Sequence, residues 1–264
     1  MRLPPWAARV IIIVCWLAAW EITALYILRD PAHASLVATP DQAFIALAKM
    51  IQGTDPMQIA MLKLHPPQSI PGNFLLTFYE IGAAFFIAAG VGLSTGMLIG
   101  QSRLLEESLE PLVLAILSVP NYVLYPIFYL LFGLGPTSYV AFGSLLGFFP
   151  VFANTVSSSR SVDPQMVALS KTMGASGLKI FQKVVMPASA GPIATGLKQG
   201  FSLSIIGVVA GQLLYAASGI GYLLTYAAGF FYPAELEAMV LVAVMVAIAG
   251  NLAFSQIERR FAQS

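Results

Sequence analysis

Six long apolar stretches, at about 8–28, 74–100, 111–132, 137–157, 192–216 and 235–257, constrain this chain more than anything else in it. A helix of roughly 20 apolar residues crosses the hydrocarbon core of a bilayer. In lipid every backbone N–H and C=O must be paired within the protein, so only helices and closed barrels can span. Barrel strands are about half this length and alternate in polarity. The stretches do neither, so the expected fold class is an all-α polytopic membrane protein with about six transmembrane helices. Composition agrees. Hydrophobic residues make up 58% and charged residues only 9% of the chain, against about a quarter charged in a soluble domain.

Charge placement sets the expected orientation. With the N-terminus inside, the cytosolic set is Arg2, Arg9, Arg103, Arg160, Lys171, Lys179, Lys183, Lys198, Arg259 and Arg260. The outer set is Arg29, Lys49 and Lys63. Positive charge gathers on the cytoplasmic side, so both termini are expected there. The first apolar run, preceded by Arg2 and Arg9, is too long for a signal-peptide core and is read as a retained span. A net charge of +1 and no basic patch with interleaved aromatics give no reason to expect nucleic acid. One cysteine, Cys15, lies in an apolar run, so neither an intrachain disulfide nor a thiolate metal cluster can form.

Between the first two spans lies a long outer loop, about 29–73. Thr39-Pro40-Asp41 has the pattern of a helix start. Phe44, Leu47, Ala48 and Ile51 follow at helical spacing, which predicts a short amphipathic helix with that face against the outer membrane surface. His33 and His65 in this loop read as ordinary loop residues rather than a metal pair.

Inside the spans, Gly92, Gly96 and Gly100 fall on one helix face, the pattern of close helix packing in lipid. Pro120 and Pro126 interrupt the third span, where freed carbonyls need a neighbour or a cavity. Ser118, Asn121, Tyr122, Tyr125, Asn154, Ser202, Ser204 and Gln212 are polar groups at membrane depth. Such groups either line a solute path or bond across helices; both readings stand. Glu21 and Glu80 are expected near the outer ends of their spans, within reach of water. No span carries the paired ionisable groups of a proton relay. No phosphate loop G-x-x-x-x-G-K-[ST], no H-E-x-x-H and no G-x-S-x-G occurs, so the chain is expected not to be an enzyme. A self-sufficient carrier or channel remains as an alternative to a path powered by another subunit, and a membrane-embedded enzyme lacks a cluster of catalytic side chains.

The polar island from Ser157 to Pro187 is the exception to this apolar pattern. It holds Arg160, Lys171, Lys179 and Lys183 and has helical periodicity, broken between Gly174 and Gly177 and expected to stop at Pro187. From Ala168 it reads A-L-S-K-T-M-G-A-S, with nine residues between Gly174 and V-V-M-P at 184–187. This resembles the cytoplasmic signature loop of permease subunits of bacterial ABC importers: E-A-A, three residues, Gly, nine residues, I-x-L-P. S-V-P at 118–120, F-G-L-G at 132–135, F-F-P-V-F-A-N-T at 148–155 and R-S-V-D-P at 160–164 are similar to the nitrate/sulfonate/taurine branch. I-I-G-V-V-A-G-Q-L-L at 205–214 and S-G-I-G-Y-L-L at 218–224 continue the likeness.

The resemblance implies a type I importer permease fold (MetI-like) over 74–258, with a coupling loop at about 158–191 and residues 1–73 as an added span and outer loop. It implies a permease homodimer in the cell inner membrane, two copies of a cytoplasmic ATP-binding subunit, and a periplasmic solute-binding protein. ATP would be bound by the partner, with no cofactor or metal in this chain. The solute would be a small organic molecule or anion: a sulfonate, taurine, nitrate or a pyrimidine. Ala168, Leu169, Ser170, Lys171, Met173, Gly174, Ala175, Ser176, Phe181 and Pro187 would form the contact with the ATPase, with Met173, Leu178 and Phe181 as apolar anchors. Ala168 stands where the family pattern has Glu, which in the family pairs with a basic residue of the ATPase. The stretch from Thr54 to Pro71 is longer than the usual connection.

Overall fold

In the computed structural model, residues 5–29, 36–64, 69–100, 104, 108, 119–160, 163–215 and 217–262 are described. All regular structure among them is helical: α1 Pro5–Leu28, α2 Pro40–Gln52, α3 Pro56–Leu64, α4 Ile70–Gly100, α5 Asn121–Phe132 and α6 Pro136–Arg160. There follow α7 Pro164–Thr172, α8 Gly177–Ile180, a π-helical segment Phe181–Val185, α9 Met186–Leu214, α10 Gly219–Gly229 and α11 Pro233–Ala262. Five helices are long and apolar enough to span: Ile11–Leu28, Ile70–Gly100, Pro136–Ser158, Pro187–Leu214 and Pro233–Gln256. The expected third span is represented by the shorter helix α5, and residues 111–118 lie outside the described ones.

Contacts divide the chain into two units, residues 1–75 with 219–244, and residues 76–218 with 245–264. In the first unit Met50, Met57, Ile70, Leu223, Tyr226 and Met239 form the core. Thr39 precedes Pro40 at the start of α2, as expected, and its N–H donates to Gln42 Oε1 at 3.2 Å. The apolar face read from the sequence is the one that α2 leaves largely uncovered by the rest of the chain. Pro40, Ala43, Ala46 and Met50 are buried, whereas Phe44 and Ile51 are 51% and 75% exposed. Small residues allow α2 to pack closely, and the large apolar side chains project away. Asp55 then starts α3: its Oδ1 accepts from Met57 N–H at 2.9 Å and Gln58 N–H at 3.2 Å. Burial pushes the Asp55 carboxyl up from its usual range despite those donors. His33 and His65 lie outside the described residues.

The second unit is built around Ile81, Tyr125, Tyr139, Phe142, Leu146, Ile205 and Val208. Gly133 (φ 78°) and Gly135 (φ 123°) take backbone angles closed to most residues and turn α5 into α6, which starts at Pro136. The expected face of α4 does pack. A Cβ at Gly92 would lie 2.9 Å from Val151 Cβ, and one at Gly96 would lie 2.7 Å from Thr155 Cβ. Both prohibit any larger residue at this crossing of α4 and α6.

Candidate functional site

The polar island folds as a helix, a turn and a second helix entrance. Asp163 caps α7 by accepting from Gln165 N–H at 2.8 Å, and Pro164 follows at the first helical position. At the other end Ala175 N–H donates to Ser170 O and Gly174 N–H to Lys171 O, both at 3.0 Å. Gly174 makes this reversal at φ 77°, a left-handed conformation that glycine adopts without penalty.

Nine residues cannot be a stable helix on their own, and the apolar side chains of α7 are not used to bury it. Met166, Leu169 and Met173 are 56%, 62% and 79% exposed. Their spacing of three and four places them on one face. Ala168, Lys171 and Ser176 are exposed, and Ser170 and Ala175 are half-buried. Ser170 Oγ and Thr172 Oγ1 donate back to the carbonyls of Met166 and Leu169, so neither hydroxyl is held by another helix. The side chains of Leu178 and Phe181 lie outside the described residues.

Pro187 does not stop the helix. Residues 177–214 run without interruption through α8, the π segment and α9, with Pro187 in the first turn of α9. Pro187 has no N–H to offer the carbonyl four residues back, and its ring crowds that carbonyl. A π segment at Phe181–Val185 widens the backbone at this point, as such segments do.

The helices on either side of the island are locked together. A Cβ at Gly200 would meet Val151 Cγ2 at 2.5 Å and the carbonyl oxygen of Gly147 at 2.9 Å. One at Gly207 would lie 2.7 Å from Gly143 Cα, and one at Gly196 2.7 Å from Asn154 Cβ. Glycines thus bring α6 and α9 backbone to backbone over about three turns. At the base Ser189 Oγ donates to Ser158 O at 3.2 Å. The small-residue spacing was present in the sequence at Gly143/Gly147 and Gly196/Gly200, the same signal used for α4.

The polar residues at membrane depth do not converge on one place. Ser118 and the Asn121 side chain lie outside the described residues, and Tyr122 is 54% exposed. Tyr125 is fully buried, shares a hydrogen bond with Ser138 at 3.2 Å and packs on Tyr139, Phe142 and Tyr215. Asn154 donates to Pro150 O at 2.8 Å and to Gln199 Oε1 at 3.2 Å. Ser202 reaches Lys198 O at 3.1 Å and Asn251 Oδ1 on α11 at 3.3 Å. Ser204 is buried against Gly147, with no partner for its hydroxyl among the described residues.

Gln212 is part of a network the sequence reading misplaced. Glu80 is fully buried rather than within reach of water. Gln212 Nε2 donates to Thr77 Oγ1 at 3.0 Å and to Glu80 Oε2, tying α9 to α4 inside the unit. Glu80 stands ten residues into a 31-residue helix, far enough from its end for neighbours to cover it. Loss of the amide leaves a buried carboxyl without a donor, which costs about 3–5 kcal/mol where the acid is ionised. We expect Gln212→Leu to lower thermal stability in detergent markedly and Glu80→Gln to be tolerated. Glu80→Leu/Gln212→Leu should recover most of the loss; a double variant as unstable as Gln212→Leu would refute a coupled pair.

Residues 88–264 match the family of binding-protein-dependent transport system inner membrane components. The chain belongs to this family. The match takes in the seam, α7 and its turn, and the C-terminal part of α4. Among relatives, SsuC of Bacillus subtilis, assigned to aliphatic sulfonate transport, is 28% identical over 175 residues, 66% of this chain and 63% of SsuC. The taurine transport system permease protein TauC of Escherichia coli is 25% identical over 244 residues, 92% of this chain and 84% of TauC. The chain thus spans a little under two thirds of the length of SsuC in that alignment. A chain in the structure of the MetNI methionine ABC transporter in inward-facing conformations shares the fold, with a TM-score of 0.65 at 15% identity. That likeness covers 73% of this chain and 95% of the other. Family and long apolar helices together make this a multi-pass membrane protein.

Proposed function

We propose that this chain is the permease subunit of an ATP-driven importer, forming the membrane path for a small sulfonate, taurine, nitrate or pyrimidine-type solute. One observation carries the reading. Within the family match, a nine-residue helix and its C-cap residue present Met166, Leu169 and Met173 to solvent between two spans that are sealed to each other. A face of this kind is more than half uncovered in its own chain and fits a groove on a cytoplasmic ATP-binding subunit. Lys171 and Lys179 flank it as rim contacts. ATP is bound by that subunit, a periplasmic protein delivers the solute, and two copies of this chain pair in the inner membrane with both termini in the cytoplasm.

The locked α6–α9 pair gives the docked helix something to move. A rigid stem below α7 transmits the opening and closing of the ATPases to the spans as a hinge-like change of access. Ser118, Asn121, Tyr122, Asn154 and Ser202 are assigned to the path, whereas the fully buried Tyr125 and Gln212 hold helices around it.

Co-purification tests the contact. The tagged chain should retain its ATP-binding subunit, and deletion of 168–187 should abolish that association; association retained in the deletion would overturn the reading. Ala168 is exposed in the middle of α7, so Ala168→Glu will not disturb the fold. The partner has adapted to alanine, and we expect this substitution to leave transport-coupled ATP hydrolysis unchanged or lower. A rise would mean that the missing acid is a deficit.

A further inference from the structure

The polar residues of the spans are scattered, but two of their hydrogen-bonded pairs share one face of α9. Gln199 and Ser202 are three residues apart, which puts their side chains side by side. Asn154 of α6 joins this face by donating to Gln199 Oε1 at 3.2 Å. Asn251 of α11 joins it by accepting from Ser202 at 3.3 Å. Lys198, four residues before Ser202, gives the same face the one charged side chain of the Pro187–Leu214 span. The face lies deep. Gly200 packs on Gly147, the middle residue of the 23-residue span Pro136–Ser158.

The hydrogen bonds give this face a polarity. Asn154 Nδ2 also donates to the carbonyl of Pro150 at 2.8 Å, which fixes the amide so that its nitrogen meets the oxygen of Gln199. Asn251 Nδ2 is held in the same way by the carbonyl of Ala247 at 2.9 Å, which turns its oxygen to Ser202. Gln199 Oε1 and Asn251 Oδ1 are thus both taken up within the protein. The amide nitrogen of Gln199 makes no hydrogen bond among the described residues, and Gln199 is exposed. Two N–H bonds at the centre of a span are costly against acyl chains, which hold nothing to accept them.

We propose that this face of α9 lines the solute path and that the solute passing it is an oxyanion, whose oxygens accept from the Gln199 amide. A sulfonate or nitrate group offers acceptors only, together with a negative charge. A neutral aminopyrimidine brings N–H donors that the outward NH2 of Gln199 cannot accept. Gln199 and Asn251 join Asn154 and Ser202 in the path. The inference rests on the importer reading above and narrows its solute to the sulfonate and nitrate class.

Cys15 is the only cysteine of the chain, so Cys15→Ser with Ser202→Cys leaves a single thiol on this face. The full chain with its ATP-binding subunit, in proteoliposomes, is treated with methanethiosulfonates carrying either a sulfonate or a trimethylammonium group, at rest and during ATP turnover. Each rate is divided by that of the same reagent with a free thiol in solution. The normalised rate should favour the sulfonate reagent by at least about tenfold, as in a cleft of one polarity. Gln199→Glu keeps an acceptor for Asn154 and exchanges only the outward NH2 for an oxygen; in this background the preference should fall to parity or reverse. Equal normalised rates, or a preference that survives Gln199→Glu, would overturn the proposal. So would the absence of reaction with both reagents in both states, which would mean that lipid or a second copy covers the face. The labelling needs no solute and no uptake, so a failed transport assay, which counts against the importer reading, is told apart from a failed preference.

Discussion

Leu169→Asp and Met173→Asp, singly, should abolish association with the ATP-binding subunit while leaving the chain folded. Both side chains are more than half exposed, at 62% and 79%, so no core contact is lost when they change. In a docked complex they would be the central apolar contacts of a small interface. Truncating such residues costs about 2 kcal/mol or more, and an aspartate adds the cost of a desolvated charge. Retention on a tagged chain should fall by at least about 30-fold. Thermal stability of the permease alone should stay within about 0.5 kcal/mol of the parent, as for other surface substitutions. Lys171→Ala, at the rim, should weaken association far less and mainly change its salt dependence. Equal losses at Lys171 and Leu169 would argue against an apolar contact.

Gly200→Ala should be a strongly damaging single-methyl addition in the second unit. The new Cβ meets a side chain at 2.5 Å and a backbone carbonyl at 2.9 Å, and a backbone carbonyl cannot step aside without moving the helix. Overpacking of this kind costs about 1–3 kcal/mol, and here it also separates the two helices that support α7. Thermal stability in detergent and coupled ATP hydrolysis should both fall. Gly191→Ala supplies the control on the same helix, because a Cβ there meets nothing within 4 Å. It should be neutral or stabilising by up to about 1 kcal/mol. Val151→Ala combined with Gly200→Ala should restore only part of the loss, since it removes the side-chain clash and leaves the carbonyl. Full restoration would place the strain in Val151 alone.

The spans were legible because lipid imposes length and polarity on a helix, and no tertiary contact overrides that demand. The break after α7 was legible for a similar local reason: Gly174 takes a left-handed conformation that few residues adopt. Pro187 was misread because proline breaks a helix only where the surrounding backbone stays α-helical; a π segment before it was not encoded in any periodicity. Glu80 was misplaced because its burial depends on Gln212, more than a hundred residues away in sequence. The large apolar face of α2 was legible and stays uncovered at Phe44 and Ile51, but the opposite side, where close helix contact selects Ala43 and Ala46, was not. The α6–α9 seam was readable from glycine spacing alone, but which helix each glycine faced required the fold.

As an importer permease, this chain would provide a path that works only when another subunit drives α7. Proteoliposomes test it most directly, with uptake of taurine, an aliphatic sulfonate and nitrate measured in parallel. The chain alone should give no uptake of any of them, with or without ATP. Adding its ATP-binding subunit, its binding protein and ATP should produce uptake of at least one, and Leu169→Asp should remove it. Uptake by the chain alone, without ATP, would contradict the account and identify a self-sufficient carrier or channel.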